Sequence, residues 1–156
     1  MMTCRKRLEK LLREEKVKFT VSKHAEAYSA QRVAGLLHIP GRQLAKVVVV
    51  KADGEPVMLV VPAPFRLNMA KVRKVLKTRN VQLATEEEFA KLFPDCEVGA
   101  MPPFGNLYDL ALYVDRTLTT QPEVAFPIGT HREIMRVAYA DYEKTAQPTV
   151  ADLSEG

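Results

Sequence analysis

Leu8, Leu11 and Leu12 recur at helical spacing among charged residues, so the pattern predicts an amphipathic first helix over residues 5–16. Phe19, Thr20 and Val21 form a short β-prone run. Ser29 is placed to cap a second helix with apolar positions at Val33, Leu36 and Leu37, stopped by Pro40 and Gly41. Residues 44–50 are rich in β-branched side chains, and Asp53-Gly54 supplies the turn into a second apolar run over residues 57–61. That is a hairpin signature. Asn68 can cap a basic helix whose inward stripe is Met69, Val72 and Leu76. Thr85 and Glu88 have the spacing of a capping box, opening a helix that Pro94 ends. Strands are predicted over residues 111–114, 124–128 and 134–139, and Asp141 is placed to cap a last short helix before Pro148 and a polar tail. Helices and strands neither alternate regularly nor segregate into an all-β pattern, which predicts an α+β fold.

The 156 residues fit one domain, expected to span 1–156. A hydrophobic fraction of 47% is enough for a substantial core. No run approaches the ~20 apolar residues of a membrane helix. Arg5, Lys6 and Arg7 lead into a polar-interrupted segment rather than the apolar core of a signal peptide. The two cysteines, Cys4 and Cys96, have neither CxxC nor histidine-paired spacing, so they predict no zinc motif and no disulfide framework. The expected compartment is therefore the cytoplasm. Net charge is only +4, but six Lys/Arg and no acid lie between Arg66 and Arg79. A basic face including Lys71, Lys74 and Lys77 suits RNA phosphates; it equally suits a solvated helix surface.

Lys46 lies inside a strand whose apolar neighbours imply burial on both faces. A desolvated ammonium is costly unless paired or aimed at an anion, although a strand-end lysine can pack its stem and keep its head in water. The segment Gly99-Ala100-Met101-Pro102-Pro103-Phe104-Gly105 joins flexible glycines to stiff prolines. Such a loop can present its few N–H groups to an oxyanion, or simply connect two elements tightly. Gly129-Thr130-His131 sits between two strands, where the histidine can orient a ligand or remain a bystander. His24 and His38 carry less chemical signal. GxSxG, HExxH, Walker and GxGxxG patterns are all missing, so no nucleophilic triad, metal site or nucleotide cofactor is predicted from motifs.

In order along the chain, these segments resemble the YbaK/prolyl-tRNA synthetase-associated domain family of aminoacyl-tRNA deacylases. The matching residues are His24 through Tyr28-Ser29-Ala30, Gln43-Leu44-Ala45-Lys46, the loop from Gly99 to Pro103, Val114-Asp115, and Gly129-Thr130-His131. The resemblance implies a mixed, strongly curved central β-sheet surrounded by helices. It also implies hydrolysis of mischarged aminoacyl-tRNA without a metal or organic cofactor. By the same resemblance Lys46 and Gly99 are the expected catalytic-site residues. Tyr28, Ala100, Met101, Pro102, Pro103, Asp115, Gly129 and His131 are expected around the substrate. Val47 departs from the family pattern, in which Thr or Ser commonly follows the strand lysine.

An aminoacyl ester is already reactive, so a positioned water and oxyanion stabilisation matter more than a strong protein nucleophile. The expected mechanism is assisted by the terminal ribose hydroxyl, with Lys46 orienting the tRNA 3′ end. The expected partners are mischarged aminoacyl-tRNA, met in trans, and transiently an aminoacyl-tRNA synthetase; no DNA or membrane partner is expected. A non-catalytic binding module on the same fold is the competing reading, and a Schiff-base enzyme using Lys46 is a more distant one.

Overall fold

The computed structural model describes residues 3–23, 37 and 39–155. Helix α1 (Cys4–Glu14) starts where Thr3 accepts a hydrogen bond from the Lys6 N–H. It buries Cys4, Leu8 and Leu12, one face of the helix. Strand β1 (Phe19–Lys23) follows. The helix expected from Ser29, together with His24, Tyr28 and His38, lies outside the described residues.

The predicted hairpin forms from β2 (Ala45–Ala52) and β3 (Glu55–Pro62). Asp53 and Gly54 both have positive φ, 51° and 85°, as a tight turn matched to strand twist requires. β4 (Arg66–Leu67) leads into α2 (Met69–Leu76), which Asn68 caps by accepting from the Lys71 N–H. β5 (Val81–Leu83) precedes α3 (Glu86–Leu92), where Thr85 and Glu88 complete the reciprocal capping box. The remaining elements are β6 (Ala111–Asp115), β7 (Glu123–Pro127), β8 (Glu133–Ala138), α4 (Tyr139–Ala146), β9 (Thr149–Ala151) and β10 (Ser154–Glu155).

The fold is α+β with a mixed five-stranded sheet in the order β5-β2-β3-β6-β9. In it β3–β6 and β6–β9 are parallel, while β2 is antiparallel to both its neighbours. A three-stranded antiparallel sheet, β1-β8-β7, adjoins it through a parallel bridge between Leu44 and Ala125. Both faces of the larger sheet are covered, which accounts for the nearly continuous valine run. Ala45, Val49, Met58, Val60, Leu112 and Val114 share a core with α1, Met101, Phe104 and Tyr142. Val50, Val57, Leu59 and Val61 share another with Val72 of α2 and Leu153.

Two expectations change. Ala138, not Asp141, occupies the cap of α4, and Asp141 lies in its first turn. The polar tail after Pro148 is not a free tail, because β9 pairs with β6 and β10 with β4. Its anchor is Leu153, fully buried in the second core.

Candidate functional site

The loop after α3 is zipped to the β7–β8 turn by backbone bonds. Glu97 N–H donates to Gly129 O at 2.8 Å, and Gly129 N–H donates to Ala100 O at 2.7 Å. Gly129 has φ +105°, and a Cβ there would lie 2.4 Å from Cys4 Sγ, so this close approach requires glycine. Gly99, at φ +83°, stands exposed at the lip, while Ala100, Met101, Pro102, Pro103 and Phe104 are buried. Tyr142 fixes the far end by donating to Pro103 O at 2.8 Å. Complete burial raises the Tyr142 pKa well above the ordinary phenol value, which keeps it a donor.

His131 joins the same corner. Its N–H donates to Glu97 Oε1 at 2.7 Å, and its ring Nε2 lies 2.7 Å from Val98 O. Because that carbonyl can only accept, the contact assigns the proton to Nε2. The Ala100 N–H is committed to Glu97 O at 3.0 Å. Among the described residues, the N–H groups of Gly99, at the exposed lip, and of Met101, buried behind it, find no acceptor.

Both residues line a cleft of about 250 Å³, together with Val47, Val49, Glu86, Phe89 and Val98, among others. Leu83 and Val98 are 60% and 49% exposed at its rim. The cleft opens along the edge of β2. The Ala84 N–H bonds Val49 O at 3.0 Å on that edge, so the two-residue period of a strand turns the Val47 N–H and C=O the same way. Val47, where many relatives in the resembled family carry a hydroxyl, therefore presents an apolar side chain to the cleft.

Lys46 lies on the opposite face of β2 from Val47, by the same alternation. Its Nζ donates to Phe65 O at 3.0 Å rather than meeting the Gly99 loop. Burial, and then the nearby Arg66 charge, lower its pKa. Arg42 stacks over the Phe65 ring with its Cζ 5.5 Å from the centroid. Arg42, Lys46 and Arg66 thus form a cationic group around Phe65, with no carboxylate partner among the described residues.

The other expected residues are dispersed. Asp115 is fully buried. Its carboxylate accepts from Leu153 N–H at 2.8 Å, Ser154 Oγ at 3.0 Å, Thr117 N–H at 3.3 Å and the Thr117 hydroxyl. It faces the chain's own tail, not the cleft. Lys71 likewise ties down the tail, through Asp152 Oδ1 at 3.1 Å and Ser154 O at 2.9 Å. Lys74 and Lys77 are exposed beside Arg73 and Arg79. The structure therefore brings Gly99, Met101, Gly129 and His131 together, and leaves Lys46, Asp115 and the α2 lysines elsewhere. Val47, marked in the sequence as a departure from the family pattern, lines the cleft, and so does Phe89, to which no sequence signal pointed.

Comparison with known proteins adds kinship to this geometry. A model of the family described as the aminoacyl-tRNA editing domain matches residues 24–145. The proline–tRNA ligase of Bacillus mycoides (strain KBAB4) is 30% identical over 90 residues, which cover 58% of this chain and 16% of the ligase. That of Staphylococcus epidermidis (strain ATCC 12228 / FDA PCI 1200) is 32% identical over 90 residues, again 58% and 16%. The matched segment is thus a small part of those ligases' length. A solved structure described as a proposed trans-editing enzyme for prolyl tRNA synthetase has a TM-score of 0.84 at 24% identity, covering 100% of this chain and 99% of that one. At that identity the likeness establishes the fold.

Proposed function

This chain belongs to the aminoacyl-tRNA editing domain family, and from that premise we propose that it hydrolyses the ester of mischarged aminoacyl-tRNA. The observation that carries the reading is the cleft of about 250 Å³ lined by Gly99 and Met101, whose N–H groups find no acceptor among the described residues. Two such donors suit the oxyanion that develops when water adds to the ester carbonyl. The carbonyl π electrons move onto that oxygen. On collapse the C–O ester bond breaks, the free amino acid leaves, and the ribose oxygen takes a proton. The neighbouring ribose hydroxyl assists the water; Thr85 and Glu86 are the polar side chains that line the same cleft. The α-amino group of the substrate lies along the β2 edge, within reach of the Val47 carbonyl.

The cleft's size and largely apolar lining favour a small aminoacyl side chain. Lys46, with Arg42 and Arg66, holds phosphate of the tRNA 3′ end on the other side of β2, and the edge between them is where the strand terminus crosses. The protein acts in trans, on tRNA leaving a synthetase, in the cytoplasm. No described helix is long and apolar enough to cross a membrane. A panel of mischarged tRNAs incubated with the purified chain tests the assignment. Loss of a subset of esters is the expected result, and binding of the same tRNAs with no ester hydrolysed would favour a non-catalytic module. A folded Lys46→Ala variant with full deacylation activity would remove Lys46 from the site.

A further inference from the structure

The first turn of α1 and the segment after α3 bring together four side chains that sequence spacing keeps apart. The donor atoms of Cys4, Asp95 and Cys96 all lie within 4.8 Å of one another. Cys96 Sγ is 3.7 Å from Asp95 Oδ1 and 3.2 Å from the Tyr108 hydroxyl, which is itself 3.2 Å from Asp95 Oδ1. We propose that Cys4, Asp95, Cys96 and Tyr108 form a structural site for a soft divalent cation of the zinc class.

Three features support the assignment. The first is shape. A tetrahedral ion with Zn–S bonds of about 2.3 Å and Zn–O bonds of about 2.1 Å separates its ligand atoms by about 3.3–3.8 Å. The three edges of the Asp95–Cys96–Tyr108 face, 3.7, 3.2 and 3.2 Å, fall in or within about 0.1 Å of that interval, and Cys4 Sγ, within 4.8 Å of the Asp95 and Cys96 donors, takes the fourth vertex. The second is charge. Two thiolates and one carboxylate carry three negative charges, which a dication and the Arg7 guanidinium cancel. Arg7 donates to Asp95 Oδ2 at 2.9 Å, leaving Oδ1 turned toward the thiols, and its Cζ lies 4.8 Å from the Tyr108 ring centroid. An outer hydrogen bond that orients a ligating carboxylate is the usual support of a metal site. The third is access. Cys4 is 1% exposed but Cys96 is only partly buried, giving an ion a route in.

The site has a consequence for the neighbouring cleft. Asp95, Cys96 and Tyr108 flank the segment carrying Gly99 and Met101, and Gly129 presses directly on Cys4 Sγ. A bound ion therefore ties α1 to the base of that loop. This inference stands independently of the proposed hydrolysis.

Cobalt(II) titration of the full chain, reduced and stripped of metal by chelation, tests it. The expected result is a sulfur-to-cobalt charge-transfer band in the near ultraviolet with tetrahedral bands in the visible, saturating at equimolar cobalt and bleached by zinc. Cys4→Ser and Cys96→Ser each abolish the charge-transfer band's two-thiolate intensity, and Asp95→Asn weakens affinity by about 10-fold or more. Zinc raises the unfolding temperature of the wild type and not of Cys96→Ser, a partly exposed position that tolerates the change; this readout stands even should Cys4→Ser fail to fold. A reduced protein with two titratable thiols and no charge-transfer band overturns the proposal. So does a band of undiminished intensity in Cys96→Ser, or closure of the thiols into a disulfide that cobalt does not slow.

Discussion

Gly99 and Gly129 share a left-handed backbone but not a neighbourhood, and that difference separates their expected tolerance of a side chain. At Gly99 an added Cβ meets, among the described residues, His131 Cε1 at 3.7 Å, so Gly99→Ala costs the backbone strain of about 1 kcal/mol. At Gly129 the same carbon would lie 2.4 Å from Cys4 Sγ, so overpacking of about 1–3 kcal/mol adds to the strain. Denaturant unfolding of the two variants should rank Gly129→Ala as clearly the less stable. Lys46 carries a pH signature of its own. Its lowered pKa means the folded chain binds fewer protons than the unfolded chain just below the ordinary lysine range. Stability contributed by this residue therefore rises with pH through that window, and Lys46→Met should flatten the rise in alkaline thermal unfolding.

Elements in this fold are closed by polar contacts at their ends, two of which make distinct predictions. Glu88 completes the cap of α3 and pairs with Lys51 of β2 at 2.7 Å. The bond from Lys51 first, and that from the Thr85 backbone second, hold its pKa at about 2, below the ordinary 4.5. A lowered carboxyl pKa contributes stability above the ordinary value and loses it as pH falls toward the folded one. The melting-temperature advantage of wild type over Glu88→Gln, which keeps the cap but not the charge, should thus shrink between pH 4.5 and about 2. It is small throughout, because the pair is solvent-exposed. Asp115 acts at the end of β6. Asp115→Ala strips acceptors from the buried Leu153 N–H and Ser154 hydroxyl, at an expected cost of about 3 kcal/mol. Limited proteolysis of residues 149–155, slow in wild type, should become fast in the variant.

At the scale of the molecule, charge rather than shape distinguishes the surface of α2. Arg73, Lys74 and Lys77 are exposed, whereas Lys71 is occupied by Asp152 and Ser154. Reversing the exposed three should weaken tRNA binding and reduce its salt slope by about 1 for each phosphate no longer neutralised. Lys71→Met should instead loosen the tail and leave the slope nearly unchanged. Equal effects from both would place Lys71 on the tRNA surface after all. The cleft and the cationic group at Lys46 flank one strand, so β2 joins the two parts of the proposed substrate path.

Local signals are legible in the order of residues alone. The leucine spacing of α1, the Asp53-Gly54 turn, the Asn68 cap and the Thr85–Glu88 capping box each depend on residues within a few positions of one another, so the chain order contains them. The unusual character of Lys46, Gly99 and His131 is legible for the same reason. Side-chain destinations are not. Whether Lys46 faces the loop, whether Asp115 turns toward substrate or toward Leu153, and whether Lys71 is free all depend on strand parity and distant pairing. The meeting of Cys4 with Cys96 depends on them too. By itself, then, the sequence determined the helices α1 to α3, the hairpin, the α+β class and the kinship to editing domains. Only the tertiary structure decided which of the marked residues share a cleft, because that is settled by sheet register and by which groups find buried partners far along the chain.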